Sequence, residues 1–316
     1  MSQRRADLLL VLIALIWGTT FTIVHEAVAT FPALALIALR FGCAAAVFLP
    51  TLARRRAELT RQVVVVGALL GALLFAGFAS QTLGLQYTSP ARAGFITGLN
   101  VVLVPLLGLG FGQQPPRRAV VGVALAVVGL AVLSWGCRIP WLGCTVGVDA
   151  TPAQRLGDLL VLVCAFAFAM HIVAVSRWAT TLPIVPINTV QLIVAALLAT
   201  GAAIMSDWPL PAPSWGVWGA ALFLGLVATA LVFALQLKLQ RYTTATHTAL
   251  IFALEPVFAA LFSWLWIGEV LTAAVWLGGG LMLLGVIVAE VSLSRNASPD
   301  KLAQVIADDV MLDGAR

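Results

Sequence analysis

Residues 6–24 read ADLLLVLIALIWGTTFTIV, and 151 positions later residues 157–175 read GDLLVLVCAFAFAMHIVAV. Each run is long enough to cross the hydrocarbon of a bilayer, which takes about 20 apolar residues when every backbone N–H and C=O must be paired within the segment. Eight further runs follow the same pattern. The ten spans predicted are Ala6–Val24, Ala33–Leu52, Val63–Leu83, Ala91–Gly112, Ala119–Trp135, Leu156–Ser176, Pro183–Met205, Trp215–Leu237, Thr243–Ile267 and Ala273–Leu293. The composition agrees: 61% hydrophobic and 10% charged residues exclude an ordinary water-soluble domain. Arg4 and Arg5 precede the first run as they would in a signal peptide. No small-x-small cleavage site follows, however, so the run is expected to remain as the first helix.

The two quoted runs also open two halves. The displacement of 151 aligns Asp7-Leu8-Leu9 with Asp158-Leu159-Leu160, Ala14 with Ala165, and Arg40 with Gln191. A displacement of 155 then aligns Tyr87-Thr88 with Tyr242-Thr243, Ile96 with Ile251, and Leu99 with Leu254, the loop between helices seven and eight absorbing the difference. Five spans per half is an odd number, so the second half enters the membrane from the opposite side. The predicted fold is an all-α integral membrane protein of ten transmembrane helices in two inverted five-helix repeats. Its parts are residues 1–136, an outer connecting loop over 137–155, a second repeat over 156–293, and a polar cytoplasmic tail over 294–316. Inverted repeats allow one bundle to rock against the other around a site at mid-membrane, which suits a transporter better than an anchor.

Basic residues set the orientation. With the N-terminus inside, 14 of the 18 Lys and Arg residues fall on the cytoplasmic side, Arg92, Arg138 and Arg155 fall outside, and Arg40 lies within helix two. Both termini are therefore expected in the cytoplasm, with the chain spanning the cell (inner) membrane. The net charge of +5 is accounted for by this asymmetry and implies no nucleic-acid partner. Eight tryptophans (Trp135, Trp141, Trp208, Trp215, Trp218, Trp264, Trp266 and Trp276) fall near the outer helix ends, where amphipathic rings suit the headgroup region. Cys43 and Cys164 lie inside spans, where packing is the simplest role. Cys137 and Cys144 share the outer loop and could form a disulfide in an oxidising compartment, or remain as two thiols.

Ionisable groups at bilayer depth are costly and are functional candidates by default. Arg40 could hold an anionic group of the solute or pair with Glu255; it could equally satisfy backbone carbonyls or reach outward to the interface. Glu255 is followed by Pro256, which lacks an N–H and tends to kink the helix and release a carbonyl near Phe252. A carboxyl beside released backbone is a candidate proton or cation site. His171, in helix six, is a second proton-coupling candidate, or an interhelical hydrogen bonder. Asn100 is the repeat partner of Glu255 and Gln191 that of Arg40, so both halves could line one cavity, although hydrogen bonding between helices would also explain them. Trp17-Gly18 and Gln81 could add an aromatic wall and a polar contact, and the glycines Gly278-Gly279-Gly280 could allow close helix approach. No metalloprotease, Cys-x-x-Cys, phosphate-loop or nucleophile-elbow motif is present, and no cofactor, metal or catalytic set is expected.

Several stretches together resemble the EamA-type transporters of the drug/metabolite transporter superfamily. They are Trp17-Gly18-Thr19-Thr20-Phe21, Leu39-Arg40-Phe41, Ala93-Gly94-Phe95-Ile96-Thr97-Gly98-Leu99 with Val104-Pro105-Leu106, and Leu254-Glu255-Pro256-Val257-Phe258 with Gly268-Glu269. The resemblance implies a ten-helix basket whose central cavity is lined mainly by helices one, three, four, six, eight and nine, placing Trp17, Gln81, Asn100, His171 and Glu255 at the cavity. The first half departs from the Glu-Pro motif by reading Asn100-Val101, so a symmetric pair of carboxylates is absent. The expected activity is secondary active transport, exporting a small metabolite, an amino-acid-like solute or a toxic compound by alternating access, with proton coupling open. A facilitative or uptake carrier is the alternative of the same kind; an intramembrane enzyme or a non-transporting membrane subunit are the alternatives of a different kind. The expected partners are a small solute and the lipid bilayer.

Overall fold

The computed structural model describes residues 3–108, 117–135, 137–139, 144–146, 150–179, 182–232, 235, 251–252 and 254–296. Apart from one short hairpin, the described residues are helical. The helices are α1 (Gln3–Val28), α2 (Ala33–Arg54), α3 (Arg61–Gly84), α4 (Pro90–Thr97), α5 (Asn100–Gly108), α6 (Arg117–Trp135), α7 (Pro152–Ala174), α8 (Ile184–Asp207), α9 (Trp215–Leu222), α10 (Glu255–Ile267) and α11 (Ala273–Asn296). Five stretches are long and apolar enough to cross a membrane: Leu8–Val28, Ala33–Arg54, Arg61–Gly84, Pro152–Ala174 and Val185–Asp207. Five shorter apolar helices accompany them, Pro90–Val104, Val120–Leu133, Trp215–Leu231, Glu255–Ile267 and Ala273–Val288.

Hydroxyl caps explain several helix starts. Thr60, Ser89, Thr151 and Ser214 each accept a hydrogen bond from the backbone N–H three residues on, and Pro90 and Pro152 occupy first-turn positions where a missing N–H does no harm. The loop between the halves holds an antiparallel hairpin of β1 (Cys137–Ile139) and β2 (Cys144–Val146), in which Cys137 faces Val146 and Cys144 faces Ile139. The two cysteines are thus not cross-strand partners in register. Their side chains, and with them the choice between a disulfide and two thiols, lie outside the described residues. So do residues 243–250 of the expected ninth span and residues 297–316 of the tail.

Each principal packing contact joins one half to the other. Helix α2 lies along α8, α3 lies against both α7 and α8, α1 and α4 lie on α10, and α6 lies along α11. Small residues permit this. A Cβ placed on Gly129 would come within 2.6 Å of the Gly278 carbonyl oxygen, and one on Gly285 within 2.5 Å of the Gly122 oxygen, so α6 and α11 meet backbone to backbone. Of the three glycines expected to allow close approach, Gly278 meets α6 and Gly279 meets the Phe95 ring, while Gly280 has open space around it. The outer surface is apolar: Leu197, Leu265, Val65 and Val127 are all more than half exposed. A contiguous coat of this kind suits lipid and would not be tolerated in water.

Helix ends segregate on two faces. His25 with Leu85, Thr88 and Arg92 with Asp158, Arg92 with Leu133, and Ala91 with Glu269 are all hydrogen-bonded, which collects the ends near residues 28, 84, 90, 135, 152 and 267 on one side. Trp135, Trp208, Trp215, Trp264, Trp266 and Trp276 are all well exposed on this Trp-rich face. The opposite, Arg-rich face carries Arg54, Arg55, Arg56 and Arg61.

The structure refines two sequence expectations. Arg92, counted above on the outer side, is 4% exposed inside α4 and forms an ion pair with Asp158. The fourth span is not one uninterrupted α-helix: a tightened turn at Gly98-Leu99, where Leu99 N–H bonds the Ile96 carbonyl and Val101 N–H the Gly98 carbonyl, separates α4 from α5. Glycine weakens a helix interior, and Gly98 is pressed against the Pro256 ring of α10, leaving no room for a side chain there.

Candidate functional site

The break in the fourth span has a repeat-related mate. Leu254, the residue that aligns with Leu99, sits in a turn immediately before α10, so Asn100 opens α5 and Glu255 opens α10. Pro256 fits the first turn of the new helix, where its missing N–H leaves no bond unmade. The two interrupted segments cross at their breaks. A Cβ on Gly98 would lie 2.9 Å from Pro256 Cγ, and one on Gly94 would lie 2.6 Å from Ala259 Cβ. Helix α1 joins the crossing through Gly18, whose hypothetical Cβ would lie 2.5 Å from Phe258 Cβ. Asn100 and Glu255, both half-buried, therefore flank one contact deep in the apolar chain, each on the first turn of a helical segment that follows a tightened turn.

Polar side chains converge beside this crossing. Gln81 of α3 is 7% exposed and donates from Nε2 to the Thr97 hydroxyl of α4 at 3.1 Å. The buried Cys164 thiol of α7 meets the Thr97 hydroxyl. Gln81, Thr97 and Cys164 thus bring α3, α4 and α7, from both halves, to one place, with Glu255 adjoining through the Gly98–Pro256 contact.

Trp17 forms a second wall. Its indole N–H donates to the Ala228 carbonyl at 3.0 Å, and its ring packs edge-on to Phe252 with centroids 5.1 Å apart. The acceptor comes from an unusual local structure, since residues Phe223–Leu231, continuing α9, are π-helical. Such a turn is wider than an α-turn and often marks functional sites. Here it presents the Ala228 oxygen to Trp17 and lets the Thr229 hydroxyl donate to the Leu224 oxygen at 2.8 Å.

Arg40 is held by the same segment. It is 3% exposed, donates from Nε to Thr229 Oγ1 at 2.9 Å, and stacks over Phe78 with Cζ 4.2 Å from the ring centroid. Pairing between Arg40 and Glu255, one of the sequence-based alternatives, is not found. The ion pairs among the described residues are Arg55 with Glu58 and Arg92 with Asp158. His171 belongs to a separate chain within the second half: its Nε2 lies 3.1 Å from Gln191 Oε1, and Gln191 Nε2 donates to Asn188 Oδ1 at 2.7 Å. The described contacts place His171 and Gln191 in interhelical hydrogen bonding between α7 and α8, apart from the Gln81 and Glu255 group.

Sequence reading missed Thr97, Thr229 and the cluster of Thr88, Arg92 and Asp158. The threonines left no signal, because a lone hydroxyl in an apolar run is unremarkable. Asp158 did leave one, an acid lying inside a span and repeated as Asp7, which served above as an alignment marker and nothing more.

The EamA-like transporter family model matches residues 4–135 and again residues 155–290. An uncharacterized transporter of Archaeoglobus fulgidus is 32% identical over 90% of this chain and 85% of its own. The S-adenosylmethionine/S-adenosylhomocysteine transporter of Chlamydia muridarum is 26% identical over 89% of this chain and 90% of its own. A crystal structure with 21% identity superposes at a TM-score of 0.63, covering 93% of this chain and 99% of that one, which marks a shared fold.

Proposed function

Because this chain belongs to the EamA-like transporter family, with both halves matched, we propose that it is a secondary active transporter that exports a small organic solute by alternating access. The observation that carries this reading is the pair of aligned helix breaks, Gly98-Leu99 and Leu254, each opening a half-helix beside polar side chains from both halves. Discontinuous helices at the interface of inverted repeats are where transporters hold their solutes, since the half-helix ends offer unmatched backbone groups inside the membrane.

In this reading ten spans cross the cell membrane as two oppositely inserted repeats, over residues 1–136 and 156–293, with both termini cytoplasmic. The solute site is built from Trp17, Gln81, Asn100 and Glu255. Arg40 stands at its edge through the Thr229 bond, and His171 with Gln191 supports its second-half wall. This site offers one carboxylate and one amide, so it suits a single cationic or amine group on a body that packs against Trp17. An amino-acid-like solute fits this description. The named solutes of the chlamydial relative, S-adenosylmethionine and S-adenosylhomocysteine, are therefore the first to try.

The decisive experiment is counterflow in proteoliposomes, in which vesicles preloaded with unlabelled solute take up labelled solute from outside. Accumulation above that of empty vesicles supports the reading; its absence across amino-acid-like, nucleoside-containing and aromatic solutes counts against it. Flux measured in both directions, with and without a proton gradient, separates coupled export from facilitated passage and tests Glu255 and His171 as proton carriers.

A further inference from the structure

We propose that Arg92, Asp158 and Thr88 form a latch that shuts the Trp-rich face in one end state of the transport cycle and parts in the other; this rests on the alternating-access reading above. The cluster joins the two halves. Arg92 of α4 donates from Nε to Asp158 Oδ1 at 3.2 Å, from Nη2 to Asp158 Oδ2, and from Nη1 to the Leu133 carbonyl at 2.7 Å. Thr88 donates to Asp158 Oδ1 at 2.7 Å. Both charged side chains are only 5% exposed. All three guanidinium nitrogens and both carboxylate oxygens are therefore engaged, in a bidentate geometry that is strong and directional.

A buried ion pair is a poor way to stabilise a static protein, because desolvating two charges offsets most of their attraction. It suits a contact that must open. Dry and paired in one state, hydrated and apart in the other, the two charges are satisfied in both. The backbone around the cluster is shaped for closure. A Cβ on Gly157 would lie 2.8 Å from the Thr88 nitrogen and 2.9 Å from the Gly84 oxygen, so the end of α3 and the first turns of α7 touch without side chains between them. A second contact between the halves lies beside it, where the Ala91 N–H donates to Glu269 Oε2 at 3.3 Å.

Side-chain hydrogen bonds join the halves here and at mid-membrane, where Trp17 meets Ala228 and Arg40 meets Thr229. In this conformation the latch on the Trp-rich face is made. The chemistry also recurs in the sequence: the displacement of 151 takes Asp158 to Asp7, and that of 155 takes Thr88 to Thr243 and Arg92 to His247. An acid from the start of one half and a hydroxyl and a basic residue from the other half are thus repeated in exchanged order. That recurrence marks the trio as a feature of the repeat.

The test uses the native Cys164, fully buried in α7 beside the solute site. In full-length protein with Cys43, Cys137 and Cys144 replaced by Ser, a membrane-impermeant maleimide is applied to one face at a time in vesicles. The quantity read is the ratio of Cys164 labelling rates from the two faces. Asp158→Asn should raise the ratio in favour of the Trp-rich face about tenfold, the shift expected from losing one charge-assisted contact between two states. Gly157→Ala, which keeps every charge but blocks close approach, should shift it in the same direction.

A ratio unchanged in both variants overturns the latch, and so does labelling that rises equally from both faces, since that reports loosened packing. The measurement needs no solute. If wild-type protein moves nothing in counterflow while the ratio responds as stated, the transport reading fails and the latch stands; if transport is found and the ratio is inert, the reverse holds.

Discussion

Glu255 occupies the first position of α10, half-buried, with Pro256 fixing the turn behind it and no ion pair to any described residue. A carboxyl so placed is available to a solute or a proton, and its amide replacement keeps the shape while removing both roles. Glu255→Gln is expected to reduce the initial counterflow rate about tenfold or more, with normal insertion and melting temperature. Arg40 is a different case, because its guanidinium bonds Thr229 and covers Phe78. Arg40→Ala leaves the π-helical segment without its anchor and should lower stability by about 1–3 kcal/mol, measured as thermal unfolding in detergent. If transport falls in proportion to folded protein, Arg40 is a structural residue; a larger fall places it at the solute. The sequence marked Arg40 and Glu255 as candidates through charge alone. It could not separate their roles, since the partners, Thr229 and Phe78 for one and Thr97 with Cys164 around the other, lie more than 15 residues away from them in the chain.

At the scale of elements, the helix breaks are half legible. Pro256 announces the one before α10, because proline cannot continue an existing hydrogen-bond ladder. Nothing local announces the break at Gly98-Leu99: Gly98 is one of 27 glycines, and Pro105 is the more obvious suspect nearby. The break follows from contact, as Gly98 yields space to the Pro256 ring. Gly98→Leu should therefore separate the two half-helices and abolish transport, while Gly42→Leu, at a glycine with open space around it, should leave transport intact; counterflow on both variants checks this. The α6 and α11 contact makes a stability prediction. Gly129→Ala places a methyl against the Gly278 carbonyl and should cost about 1–3 kcal/mol, read as a lower melting temperature. The π-helical turn at Phe223–Leu231 was not legible, because the Ala228 carbonyl and the Thr229 hydroxyl it presents are taken up by Trp17 of α1 and Arg40 of α2.

For the whole molecule, the ten apolar runs read in the sequence predict an even span count, with both ends of the chain on one side. Protease treatment of inside-out vesicles should remove tags from both termini together; removal of only one would mean an odd number of crossings. The apolar runs, the internal repeat and the asymmetry of basic residues could all be read in the sequence, because lipid imposes requirements on each segment separately. A span must satisfy its own backbone and present an apolar surface wherever it packs, so its residues alone report it. Arg92 shows where that logic stops. By position it is a cation at one end of a predicted span; in the folded chain it is buried against Asp158, 66 residues away. Which polar groups meet and which glycines touch depend on how two halves of similar sequence interlock. Those contacts join residues far apart along the chain, and no periodicity or composition within a single segment encodes them.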